Sequence, residues 1–260
     1  MYAMKKILTE LLFSVLLFLG IFYATLQVDW MKLFNLSPTI VGDKLAEWVW
    51  DLTYNDLHEV KSDDVRLPID TLVREMCLAN DIDTASVNVL VSRNSDVNAF
   101  VTVGRHLVVY TGLIEKMDNE SQLCAVIGHE LAHLELGHVQ SGIRRQAVFQ
   151  AILILLTGNS NVDGLIKLTG RMLSNTISRA KENDADAQGA RYLNAMHLDP
   201  MEMANSLEKL ESYGVLSYLS DHADSKDRAA RIRKMQFKSN GPFRQILMPE
   251  TWNTLKSQCE

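Results

Sequence analysis

The chain has 260 residues, 47% hydrophobic and 22% charged, enough apolar material for a packed core and too little charge for wholesale disorder. Asp and Glu outnumber Lys and Arg 32 to 26, a formal charge of −6, so no nucleic-acid partner is expected of a chain this acidic. Three cysteines, Cys77, Cys124 and Cys259, lie far apart without a CxxC pair, which argues against a thiolate metal site or a disulfide framework.

Residues 7–28 read ILTELLFSVLLFLGIFYATLQV, with Glu10 the one charge, close to the roughly 20 apolar residues needed to cross a bilayer. Lys5 and Lys6 precede this run. The positive-inside bias then places the N-terminus in the cytoplasm and the rest of the chain across the membrane. Residues 1–28 are therefore expected to be a membrane anchor, with a cleaved signal that leaves a soluble protein as the alternative. A connector and a first helix over 45–58 fill residues 29–64. Apolar spacing from Pro68 predicts a helix over 68–80. Val87, Val89 and Val91 alternate as in a strand, and 98–103 with 106–110, joined at Gly104-Arg105, read as a β-hairpin beside it. Asn119 and Gln122 have capping-box spacing ahead of LCAVIGHELAHLEL, predicting a helix from about 120 to 138. Further helices are expected over 149–156, 165–196, 201–213 and 229–237, while the tail from 238 to 260 carries no strong signal. The class is α+β, mostly helical, with a small sheet that includes an antiparallel pair.

The string His129-Glu130-Leu131-Ala132-His133 carries the chemistry. Residues four apart on a helix share a face, so both imidazoles can reach one Zn²⁺ at about 2.0–2.1 Å. Glu130 then stands beside a water that the cation activates, placed to take its proton during attack on a peptide carbonyl. The flanks Val126, Ile127, Leu131, Ala132 and Leu134 are apolar nearly all round, so the helix is expected to be buried, and Gly128 suggests close backbone packing. His138 projects away from His129 while the helix continues, and is expected to pair with an acid such as Glu135 or to be exposed. A third ligand is needed, and Glu182 is the better candidate. Asp186, four residues on, shares its face and can accept the free N–H of His129. Ala185, Ala187, Gly189 and Ala190 let that helix pack tightly on the first. Cys124 is read as a small core residue.

With these residues in place the sequence resembles the gluzincin peptidases of metallopeptidase family 48, which include the heat-shock protease HtpX and the CAAX prenyl proteases. The carriers are Asn98-Ala99-Phe100 with Gly112-Leu113, GHELAHLELGH at 128–138, SRAKENDADAQGARY at 178–192, and His222 with Arg228, so that the resemblance covers roughly residues 65–235. It implies a zincin peptidase domain over 65–237, with Zn²⁺ on His129, His133 and Glu182, Glu130 as general base, and Asp186 and Arg228 behind the ligands. It also implies a loop that brings His222 near the site, as an oxyanion contact or an extra zinc ligand. An edge strand in this architecture binds extended substrate by strand addition, which points to Asn98, Ala99 and Phe100. Two features depart from the family: Ala223 follows His222 where proline is usual, and one long apolar run replaces several. The chain thus resembles a single-anchor or periplasmic branch. The expected activity is zinc-dependent endopeptidase action on unfolded or misassembled envelope proteins, with a zinc-holding, non-catalytic envelope chaperone or assembly factor as the alternative.

Overall fold

The computed structural model describes residues 50–51, 53–102, 104–139, 141, 178–213, 225–238 and 241–260, all within one compact unit. The apolar run at 7–28, the helix expected at 149–156 and His222 lie outside them. Among the described residues no helix is long and apolar enough to cross a membrane.

Of the helix expected over 45–58, the described part is helical only as far as Tyr54. Beyond it Glu59 makes an isolated antiparallel bridge with Ser92. Helix α1, Asp63–Ala79, begins earlier than the spacing predicts, with Pro68 inside it. Proline deprives the carbonyl four residues back of its donor, and that residue, Asp64, is exposed, where solvent can take over. Strands β1 (Asn88–Ser92), β2 (Ala99–Thr102) and β3 (His106–Tyr110) form one sheet in the order β1-β3-β2. The hairpin is as expected, β2 antiparallel to β3, whereas β1 runs parallel to β3. At the hairpin turn Gly104 (φ 77°) and Arg105 (φ 60°) both adopt the left-handed region. The non-glycine residue is fastened there by hydrogen bonds from its guanidinium to the Ser86 carbonyl and the Glu135 carboxylate. A short helix not foreseen in the sequence, α2 (Thr111–Lys116), follows β3 directly.

Helix α3, Glu120–Glu135, is buried on every side from Gln122 to Leu134 and packs against β2 and three helices. Asn119 Oδ1 accepts from Gln122 N at 2.9 Å, but the Gln122 side chain reaches past the cap to Asp118 N at 3.0 Å, so the capping box is closed one residue early. Helix α4, Arg179–Ala195, starts at its N-cap Ser178, whose ψ of 154° is extended. Of the helix expected over 165–196, the described part is therefore helical from Arg179, and 165–177 lie outside the described residues. Helices α5 (Glu202–Ser212) and α6 (Ser225–Ile232) pack on each other.

The tail is not featureless: Pro249–Cys259 form a helix, α7, with proline in its first turn and Leu255 and Cys259 buried, packed against α1 and α2. The approach to α7 is fixed by Glu120, whose buried carboxylate accepts from Ile246 N (2.5 Å) and Leu247 N (2.8 Å).

Contact between α3 and α4 is close because glycine faces glycine. A Cβ on Gly128 would lie 3.6 Å from Gly189 Cα, and one on Gly189 would lie 3.0 Å from His129 N, 3.1 Å from Gly128 C and 2.4 Å from the end of Met203. Alanine at 189 would gain about 1 kcal/mol of helix propensity but would overpack the crossing at a cost of about 1–3 kcal/mol. Gly189→Ala is therefore expected to lower the melting temperature. An unchanged or raised value would show that the helices can separate freely.

Candidate metal centre

The two helices that meet at this crossing carry the polar residues buried inside it. His129, Glu130 and His133 on α3 and Glu182 and Asp186 on α4 are each no more than 2% exposed, as is Arg228 on α6. His129 Nε2 and His133 Nε2 are 3.0 Å apart. Glu182 Oε2 is 3.4 Å from the first and Glu182 Oε1 is 3.4 Å from the second. Four ligands placed tetrahedrally at Zn²⁺–N/O distances of 2.0–2.1 Å stand about 3.3 Å from one another. The three side chains thus converge on the scale of such a site, with one carboxylate oxygen facing each imidazole, and they are the metal-capable group among the described residues.

Behind the candidate ligands each imidazole has a different partner. His129 Nδ1 lies 2.9 Å from Asp186 Oδ1. Asp186 in turn is gripped by Arg228, whose Nε donates to Oδ2 at 2.6 Å and whose Nη2 donates to Oδ1 at 2.7 Å. Arg228 Nη1 also lies 3.2 Å from Glu182 Oε2, so one guanidinium ties the Glu182 carboxylate to that of Asp186. Burial opposes ionisation of Asp186, but the hydrogen bonds from Arg228 and His129 outweigh it and hold the carboxyl below its ordinary range. Burial likewise opposes charge on His129, yet Asp186 and Glu182 lift this imidazole to about 9.

The charge balance follows from these contacts. Three buried carboxylates, on Glu130, Glu182 and Asp186, stand against one buried guanidinium. A proton on His129 supplies part of the missing positive charge. A divalent cation held between these side chains would supply the rest, and at His129 Nε2 it would displace that proton.

His138 is not exposed, and among the described residues it is not paired with an acid. It is 7% exposed, and its Nδ1 lies 3.0 Å from His133 Nδ1. Glu135 is instead taken by Arg105. The spacing misled because α3 stops at Glu135. Leu136 caps it, and Gly137 at φ 67° reverses the chain so that His138 swings back under the helix end. The glycine one residue before the histidine was the available signal. Cys124 is fully buried, and burial raises its thiol so that it stays protonated, in keeping with a small core residue.

The strand expected to receive substrate, β2, forms one edge of the sheet, with its outer side unpaired among the described strands. Ala99 is fully buried and Asn98 is 7% exposed. Phe100 is half-buried, edge-on to Tyr110 with ring centroids 5.9 Å apart.

Residues 66–236 match the model of peptidase family M48. Among curated proteins, the metalloprotease LoiP of Escherichia coli K12 is 33% identical over 166 residues, covering 60% of this chain and 65% of LoiP. The beta-barrel assembly-enhancing protease of the same organism is 29% identical over 189 residues, 64% of this chain and 39% of that protein. Mitochondrial metalloendopeptidase OMA1 of Arabidopsis thaliana is 30% identical over 151 residues, 57% of this chain and 31% of that protein. The chain thus spans less than two thirds of the length of these relatives. With the match running over most of the described core and through all three candidate ligands, the chain belongs to peptidase family M48.

Proposed function

We propose that the chain is a zinc-dependent endopeptidase in which His129, His133 and Glu182 hold the metal and Glu130 is the general base. The observation that carries this reading is the buried convergence of His129 Nε2 and His133 Nε2, 3.0 Å apart, on the Glu182 carboxylate, one oxygen of which lies 3.4 Å from each imidazole; a tetrahedral site built on these three side chains has one position left for solvent or substrate. Bound Zn²⁺ would supply Lewis acidity that polarises the scissile carbonyl and acidifies the attacking water. Glu130 takes the proton of that water and returns it to the departing amine nitrogen, so that the carboxylate is regenerated in each turnover. Asp186 fixes the tautomer of His129 by accepting from its Nδ1–H, leaving Nε2 bare for the metal. Arg228 holds Asp186 and Glu182 in register. For His222 the family resemblance supports an oxyanion contact, with an extra zinc ligand as the alternative.

Extended substrate adds to the open edge of β2, main chain to main chain, beside Asn98, Ala99 and Phe100. This mode suits unfolded segments, because a folded protein has few free strands to offer. Unfolded or misassembled envelope proteins are the proposed substrates. The apolar run at 7–28 supports a membrane-anchored enzyme whose catalytic domain lies outside the cytoplasm. The name of one relative, the beta-barrel assembly-enhancing protease, fits such a role.

Glu182→Ala tests the ligand set directly. Two histidines alone make a poor zinc site, so the variant is expected to lose its metal on dialysis against a mild chelator, as measured by elemental analysis, while the parent retains it. Unchanged zinc stoichiometry would remove Glu182 from the ligands and, with it, the proposed chemistry.

A further inference from the structure

The two ligand histidines are not supported alike. His129 leans on a carboxylate that is itself locked by a guanidinium, whereas His133 leans on another histidine. We infer that His138 is the positioning residue of His133: a neutral imidazole whose bare Nδ1 accepts the Nδ1–H of the ligand and turns its Nε2 toward the metal. This inference rests on the zinc site proposed above.

The chemistry leaves little choice of tautomer. His133 Nε2 is the atom 3.4 Å from Glu182 Oε1 and 3.0 Å from His129 Nε2, so it is the ligating nitrogen and must carry no proton. The one proton of the neutral ring then sits on Nδ1, which faces His138 Nδ1 at 3.0 Å. Two N–H groups cannot point at each other, so His138 presents a lone pair there and carries its own proton on Nε2.

His138 is fastened from both ligand helices. Gly137, in the left-handed region, makes the reversal after α3 that brings it back. Its carbonyl accepts from Ser141 Oγ at 2.9 Å, and that hydroxyl accepts a hydrogen bond from Lys181 Nζ on the first turn of α4. The rings of His133 and His138 meet at 64° with centroids 5.0 Å apart, an edge-on arrangement that fixes the plane of the ligand imidazole.

The choice of partner has a consequence for the metal. A carboxylate behind a ligand histidine increases its basicity and electron donation, and a neutral imidazole does so less. Backed by His138 through Nδ1, His133 would donate less to a bound cation than it would with a carboxylate in that place.

The test measures Zn²⁺ affinity of the metal-free full chain by chelator competition, with the visible spectrum of the Co²⁺-loaded protein as a second readout. His138→Leu keeps bulk but offers no acceptor, and is expected to weaken Zn²⁺ binding about 10–100-fold. His138→Asn places a carbonyl oxygen where Nδ1 stood and is expected to restore most of the affinity and the parent Co²⁺ spectrum. Equal affinities for the leucine and asparagine variants would reduce His138 to packing and overturn the inference. Should the leucine variant not fold, His138→Asp decides: it backs His133 with a carboxylate and is expected to bind Zn²⁺ more tightly than the asparagine variant, and a match between those two overturns the inference. A parent chain that takes up no Zn²⁺ would sink the zinc site itself, an outcome distinct from either of these.

Discussion

Glu130→Gln is expected to lower peptide hydrolysis by about 10²–10⁴-fold, the usual contribution of a positioned general base, while leaving the metal in place. Glutamine has nearly the volume and shape of glutamate, so α3, buried all round at this level, should not shift. Glu130 lies outside the group of three donors that converge on one point, so its replacement removes no ligand. What the amide cannot do is accept the proton of an attacking water. The measurement pairs casein cleavage with zinc content for parent and variant. Equal cleavage by both would sink the mechanism, and loss of zinc from the variant would place Glu130 among the ligands. Intact zinc with lost cleavage would also separate an endopeptidase from a chaperone that keeps zinc only for structure, since such a protein has no use for a base.

The grouping of the candidate site residues was legible in the sequence where its geometry is local. His129 and His133 are one helical turn apart, and Glu182 and Asp186 are another turn on a second helix, so spacing alone grouped each pair. What joined the two pairs was the small-residue pattern, and the glycine contact between 128 and 189 is its physical form. Arg228 came forward only through family resemblance, because nothing in SRAKENDADAQ or its surroundings announces a guanidinium arriving from another helix to grip Asp186. His138 was misplaced because one residue in the left-handed region redirects everything after it, and helical periodicity has no term for that. Strand pairing showed the same limit. The hairpin could be read from its turn, but the parallel pairing of β1 with β3 crosses a strand in between and leaves no local mark. Helix α7 was passed over because its polar residues outnumber its apolar ones. Its start signal, Pro249 in the first turn, and its buried pair Leu255 and Cys259 on one face were there to be weighed.

Arg228→Met is expected to destabilise the metal-free protein by about 3–5 kcal/mol, the penalty for removing one partner of a buried ionic group. Methionine keeps much of the side-chain volume, so the loss is mainly of charge and hydrogen bonds. Without the guanidinium, Asp186 loses both of its arginine hydrogen bonds and Glu182 loses a cation 3.2 Å away, while all three buried carboxylates remain. The metal-free folded state suffers most, because it has only a proton on His129 to set against them. A bound divalent cation replaces much of the missing positive charge. The gap between the melting temperatures of the zinc-loaded and metal-free forms should therefore be wider for Arg228→Met than for the parent. Thermal unfolding of both proteins in each state, at neutral pH and equal ionic strength, measures it. If substitution lowers both forms by the same amount, Arg228 acts only as a packing element, and the charge balance that ties it to the cation is wrong. A wider gap means that arginine and metal share one electrostatic task. In that case the guanidinium holds the Glu182 and Asp186 carboxylates together before a cation arrives, and the cation completes the neutralisation that Arg228 begins.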